Sequence, residues 1–185
     1  MRQPFLLPDF LAAAECLGCR RAMDAGEHSE AAVLDGNAVL VDAARRAGDV
    51  EVAPEMLGLV ETRLDRRLGD VARYFGLALT RREGCGFVRY APGGFYRRHV
   101  DRAESAAWPE AALRRVSAVI FLNSSRPADT GDGFEGGVLR LYLSGSEAVE
   151  IIPRRGLLVA FDASIPHEVT MVASGVRDAV VDWYY

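Results

Sequence analysis

The sequence predicts a mainly β fold of the α+β kind, a jelly roll with N-terminal helices packed outside, and three observations carry that reading. After Gly76 the chain breaks into eight short β-type runs separated by turn signals, the spacing of a closed or two-sheet β architecture. Before Gly76 the apolar residues recur at helical steps instead. The chain has 185 residues, half of them hydrophobic, enough to bury one sizeable core without dividing. One domain, 1–185, is therefore expected, with 1–76 as mainly helical support and 77–185 as the jelly-roll core.

The elements follow in chain order. Pro8 and Asp9 read as the entry and N-cap of a helix over Phe10 to about Ala25. The stretch 31–40 holds two short apolar runs about an Asp35-Gly36 turn and has no clear period. From Pro54, residues Leu57, Val60, Leu64, Leu68, Val71 and Phe75 recur at three- and four-residue steps among charges, which predicts one amphipathic helix with Pro in its first turn. The β-type runs are 86–90, 95–100, 116–122, 138–143, 148–152, 156–161, 167–172 and 176–185. Turn chemistry separates several of them, at Ser144-Gly145-Ser146 and at Pro153-Arg154-Arg155-Gly156. The longest non-strand insert, 102–115, carries Trp108-Pro109 and is a candidate lid over whatever its neighbours build; a solvated connector would look the same.

Composition narrows the function classes. Net charge is −4, and the 22 basic residues lie in small clusters rather than one block, which argues against nucleic acid as the partner. No apolar stretch approaches the length of a membrane span, and the Pro-broken start is no signal peptide, so the cytoplasm is the default expectation. Of three cysteines, Cys16 and Cys19 form an isolated Cys-x-x-Cys with only Cys85 elsewhere. That is too few for a structural zinc site, and reduced structural thiols are expected.

The chemistry concentrates in His99-Val100-Asp101. On a strand, positions 99 and 101 project the same way. Two His and one Asp on one face of a metal make the facial triad of non-haem Fe(II) oxygenases, which leaves positions for a co-substrate and O₂. The chain has three histidines, so His167 is the third ligand in this reading; His28, in a polar run, is the weaker candidate. An isolated His-x-Asp is common at surface strand ends, and the setting decides. Arg177 follows His167 by ten residues, across a strand, an Ala173-Ser174-Gly175 turn and a second strand. With a hairpin about Ser174, His167, Val169 and Met171 share a face with Arg177, Ala179, Val181 and Trp183, while Asp178 and Asp182 face solvent. A buried cation needs an anionic partner. A dicarboxylic 2-oxoacid fits, its 1-carboxylate and ketone on the metal and its far carboxylate in a bidentate pair with Arg177. The bland alternative leaves Arg177 snorkelling from an edge strand. A β-barrel module that only binds metal has no need of that interior cation.

About 100 residues, Gly86 to Tyr185, resemble the prolyl 4-hydroxylase branch of the 2-oxoglutarate and Fe(II)-dependent dioxygenases, especially the animal hypoxia-factor prolyl hydroxylases and their bacterial relatives. The matching stretches run from Val88 through Tyr90 and Gly93-Gly94 to His99-Val100-Asp101, then Ile120-Phe-Leu-Asn123, Phe134-Glu-Gly-Gly-Val-Leu-Arg-Leu141, Pro166-His-Glu-Val169, and Arg177 with Trp183 six residues later. Leu7-Pro8-Asp9-Phe10-Leu11 also looks like the family's first helix. The resemblance implies a double-stranded β-helix and hydroxylation coupled to conversion of 2-oxoglutarate and O₂ to succinate and CO₂, with ascorbate a candidate auxiliary. It assigns Fe(II) to His99, Asp101 and His167, the 5-carboxylate of 2-oxoglutarate to Arg177, contact with the co-substrate to Tyr90, and pocket lining to Leu139 and Trp183. A carboxylate at position 101 favours hydroxylation over halogenation, since related halogenases leave that ligand place open for chloride.

Two positions depart from the pattern. Phe121 stands where the nearest animal relatives carry a Tyr hydroxyl, and Val181 where a hydroxyl residue is common, so the co-substrate's far carboxylate relies more on Arg177. Gly136-Gly137 reads as a close backbone approach at a strand start. The resemblance makes a protein or peptide prolyl residue the first choice of substrate and a free amino acid or small metabolite the second. Arg97, on the ligand face by strand parity, is the residue that would meet a small substrate's carboxylate.

Overall fold

The computed structural model describes residues 2–30, 34–35, 38–39, 44–104, 108–125, 133–144 and 147–185. The first half runs β1 (Phe5–Leu7), α1 (Ala13–Ala25), β2 (Glu27–Glu30), β3 (Leu34–Asp35), β4 (Ala38–Val39), β5 (Arg45–Arg46), β6 (Gly48–Glu51), α2 (Pro54–Asp65) and α3 (Leu68–Phe75). The second half runs β7 (Gly86–Tyr90), β8 (Phe95–His99), a 3₁₀ turn Pro109–Leu113, β9 (Val116–Phe121), β10 (Glu135–Gly136) and β11 (Leu139–Ser144). It closes with β12 (Glu147–Ile151), β13 (Leu158–Asp162), β14 (His167–Val169), β15 (Val172–Ser174) and β16 (Arg177–Tyr184). Two large antiparallel sheets result, one ordered β1-β13-β9-β16-β7-β6-β2 and the other β12-β11-β14-β8-β5. This is the jelly roll expected.

Two apolar layers hold it together. Alternation along β9 sends Val116, Ala118 and Ile120 to one side, where they pack with Leu158, Ala160 and Val180 against Cys16, Cys19, Met23, Val60, Leu64 and Val71 of the helices. The other side of β9, through Val119 and Phe121, meets Leu139, Leu141, Val159, Phe161 and Ala179 between the two sheets. The helices thus sit outside the β core, and the sheets face each other across a second interior. The first 76 residues also add β1, β2 and β6 to one sheet and β5 to the other, strands that the apolar periodicity does not foreshadow. The turn expected at Asp35-Gly36 and the one at 144–146 fall partly outside the described residues. No described helix is long and apolar enough to cross a membrane.

Local physics moves several boundaries. Asp9 takes a left-handed φ of 53°, which an N-cap residue does not adopt, so α1 starts at Ala13 and the Glu15 carboxylate reaches back to the Ala12 N–H at 2.7 Å. That bond holds the Glu15 carboxyl below its ordinary value. The predicted helix from Pro54 to Phe75 is two helices, because the Arg67 N–H turns to the Leu64 carbonyl three residues back (2.9 Å) instead of continuing the α pattern. The predicted strand 167–172 also divides, and the expected hairpin about Ser174 does not form, since β15 pairs with β10 while β16 pairs with β7 and β9. The Val138 N–H bonds the Thr170 hydroxyl, while Val172 pairs on with Gly94, and Met171 between them turns outward at 60% exposure rather than sharing the interior face.

The expectation that Asp178 and Asp182 face solvent is wrong, for the layer beyond β16 is helix and not water. Asp178 is fully buried and takes Arg89 Nε and Nη2 at 2.7 and 3.0 Å and Arg20 Nε at 3.0 Å; Asp182 is held by Arg82 and the Gly84 N–H. Removing one partner of a buried ion pair costs about 3–5 kcal/mol. Asp178→Ala should therefore lose stability of that order in urea unfolding, and a loss below about 1 kcal/mol would show that the two guanidiniums rehydrate freely.

Candidate active site

Register builds the site. His167 on β14 lies directly opposite His99 on β8, and Arg177 on β16 directly opposite Tyr90 on β7. Asp101, just beyond β8, is fixed by its N–H to the Ala163 carbonyl at 3.1 Å. The donor atoms of His99, Asp101 and His167 all lie within 4.8 Å of one another. His99 Nδ1 contacts the Arg97 carbonyl at 2.8 Å and His167 Nδ1 the Ile165 carbonyl at 2.9 Å, so in each ring the Nδ1 carries the proton and the Nε2 lone pair is left facing inward. Those Nε2 atoms sit 3.4 and 3.5 Å from the two Asp101 oxygens. Ligands roughly 2.1 Å from a divalent metal at right angles lie roughly 3 Å apart, so this donor set fits one ion after a small inward movement.

The electrostatics suit a metal. Burial pulls the His167 imidazole down to about 4, against the pull of Asp101, so it is neutral and able to ligate at pH 7. Burial alone would raise the Asp101 carboxyl, but its imidazole neighbours and the Ser117 hydroxyl reverse that and hold it well below the ordinary carboxylate range. Tyr96 stacks on His99 with ring centroids 3.5 Å apart, and Phe161 meets His167 edge-on at 4.8 Å, which fixes both ligand rings.

Arg177 is 2% exposed. Its guanidinium lies between the rings of Tyr90 and Phe121, 4.9 and 5.2 Å from their centroids, and its Nε donates to the Gly137 carbonyl at 3.0 Å. Among the described residues no carboxylate pairs with it. Burial lowers its pKa, with the Tyr90 hydroxyl and Asp178 opposing, which leaves a charged group in want of an anion. Gly137 has φ of 59°, and a Cβ there would come within 2.8 Å of Arg177 Cδ, so the close backbone approach read at Gly136-Gly137 is a cradle for this side chain.

One cavity of about 770 Å³ joins these parts, lined by the three ligand residues, Arg177, Tyr90, Leu139 and Trp183. The residues expected to hold the metal and the co-substrate therefore meet. His28 lies apart, exposed on β2 against β6. Arg97 does not face the ligands as strand parity predicts. His167 opposes His99 but Val169 opposes Tyr96, so β8 spends one extra residue there; the bulge swings Tyr96 into the cavity and leaves Arg97 exposed, 5.8 Å over Phe95. Sequence reasoning also misses Ser117, whose hydroxyl donates to Asp101 Oδ2 at 2.6 Å, and Arg114, stacked 3.7 Å over Trp183 and paired twice with Glu83. The signal for Ser117 is present, since it shares the inward row of β9 with Val119 and Phe121.

Two imidazoles and a carboxylate beside an unpaired internal cation define a metal-dependent oxygenase that takes an anionic co-substrate. Residues 85–185 match the 2OG-Fe(II) oxygenase superfamily, and the chain belongs to it. It is a 2-oxoglutarate-dependent dioxygenase of the prolyl 4-hydroxylase-like kind, a family whose members use Fe(II), 2-oxoglutarate and O₂. Among solved structures it is similar to a Pseudomonas putida prolyl-4-hydroxylase (27% identity, 98% of this chain and 91% of that one, TM-score 0.73). It shares its fold with a Trichoplax adhaerens prolyl hydroxylase in complex with a hypoxia-inducible-factor oxygen degradation domain peptide (22%, 98% and 83%, 0.73). The viral collagen prolyl hydroxylase of Paramecium bursaria Chlorella virus-1 also has this fold (15%, 99% and 96%, 0.62). No curated protein matches significantly.

Proposed function

We propose that this dioxygenase hydroxylates a prolyl residue of a protein or peptide. His99, Asp101 and His167 hold Fe(II), and Arg177 with Tyr90 seats the far carboxylate of 2-oxoglutarate. Bound Fe(II) supplies the activation of O₂, coupled to conversion of 2-oxoglutarate to succinate and CO₂. The chain's own residues orient the reactants and keep water out: Leu139 and Trp183 wall the co-substrate end, and the Tyr96 ring backs His99. Trp108, 47% exposed, lines the same cavity from the insert that follows Asp101. In this reading it covers the substrate, although residues 105–107 of that insert fall outside the described ones.

The observation that carries the reading is the unpaired buried Arg177 in one cavity with the triad, because it calls for a dicarboxylate beside the metal. The prolyl choice is supported by the likeness to the Pseudomonas putida enzyme across nearly both chains. The second choice, a free amino acid, relied on Arg97 in the site, and the bulge in β8 removes that support. The test is succinate formation, with Fe(II) and ascorbate supplied, against a library of proline peptides and the free amino acids. Certain peptides should stimulate turnover and gain one oxygen on proline; stimulation by free amino acids alone would overturn the proposal.

A further inference from the structure

Ser117 is the second residue of β9, 2% exposed, with Phe161 and Trp183 directly opposite it on the paired strands. Its neighbours in the inward row, Val119 and Phe121, are apolar core residues. A hydroxyl in that row needs a partner, and it has the carboxylate of Asp101, Oγ to Oδ2 at 2.6 Å, a charge-assisted bond. The backbone of Asp101 is anchored without it, by the N–H to the Ala163 carbonyl at 3.1 Å and by Arg114 Nη1 on its own carbonyl at 3.4 Å. What Ser117 governs is the rotation of the carboxylate.

That rotation matters because both oxygens look into the triad. Oδ1 lies 3.4 Å from His99 Nε2 and Oδ2 lies 3.5 Å from His167 Nε2, so a metal between the imidazoles could take one oxygen or both. Carboxylates bind divalent ions in either mode. A second oxygen on the metal would fill a place that the reaction needs open. With the Ser117 proton on Oδ2, that oxygen is committed elsewhere and Oδ1 is left as the donor.

We propose that Ser117 is a positioning residue that keeps Asp101 a one-oxygen ligand and so holds a coordination place free for the co-substrates. The inference rests on the triad reading above. Partners that orient a metal ligand typically contribute 10–100-fold in metal affinity.

The test titrates the metal-free protein with Mn(II), followed by magnetic resonance, and with Co(II), followed by its visible absorption, which reports coordination number. Ser117→Ala should bind Mn(II) at least about tenfold more weakly, with Co(II) bands moved toward higher coordination. Ser117→Thr, which keeps the hydroxyl, should restore both. Wild-type affinity together with a wild-type Co(II) spectrum in the alanine variant would overturn the proposal. Should that variant fail to fold, Ser117→Val against Ser117→Thr repeats the comparison with matched shapes, and equal affinities and spectra would overturn it in the same way. His167→Ala serves as the separate arm. If it still binds Mn(II), the triad reading fails; if it loses the metal while Ser117→Ala keeps wild-type binding, only the role of Ser117 fails.

Discussion

His167→Ala should abolish metal binding and, with it, 2-oxoglutarate turnover. The ring is buried, its Nδ1 sits on the Ile165 carbonyl, and its Nε2 faces Asp101 and, across the paired strands, His99. No other described imidazole can replace it, because His28 is exposed on a strand at the far edge of the other sheet. Orienting partners of metal ligands contribute 10–100-fold, so deleting a ligand itself should cost more than about a hundredfold in affinity. Anaerobic calorimetry with Fe(II) or Mn(II) measures this directly, and His28→Ala is the matched control expected to bind as wild type. An affinity for His167→Ala within threefold of wild type would sink the ligand assignment.

Much of the site was legible because its residues obey strand parity. His99 and Asp101, two residues apart, both reach the interior as a period of two suggests, and so do His167 and Arg177, although the parity breaks at Met171 and the chain between them forms no simple hairpin. The same rule misled wherever its premise failed. At Arg97 a bulge changed the count, and at Asp178 and Asp182 the outer face of the strand met packed helices and the guanidiniums of Arg20, Arg89 and Arg82 instead of solvent. Neither event leaves a mark in the local pattern, since a bulge follows from how two strands pair and burial from what packs on top. The two-residue strand β5, whose partner β8 lies about fifty residues further on, was invisible for the same reason. Ser117 differs, for its inward position was readable. A lone hydroxyl in an apolar row becomes meaningful only when a carboxylate from another element is seen to meet it.

Arg177→Ala should raise the apparent KM for 2-oxoglutarate at least tenfold while Mn(II) affinity, measured without co-substrate, changes little. Arg177 does not touch the triad; its contacts are the Gly137 carbonyl and the faces of Tyr90 and Phe121. With Phe121 and Val181 supplying no hydroxyl, a carboxylate arriving there has the guanidinium as its main partner. Truncating one side of such a buried pair costs about 2–5 kcal/mol, and each 1.4 kcal/mol is a factor of ten. A second measurement separates this role from a structural one. In the protein without co-substrate the cation is buried and no carboxylate among the described residues pairs with it, so Arg177→Met, of similar length, should leave unfolding stability unchanged or improve it. If Arg177→Met instead loses several kcal/mol of stability while KM stays at the wild-type value, the guanidinium is a structural strut and the co-substrate carboxylate binds elsewhere.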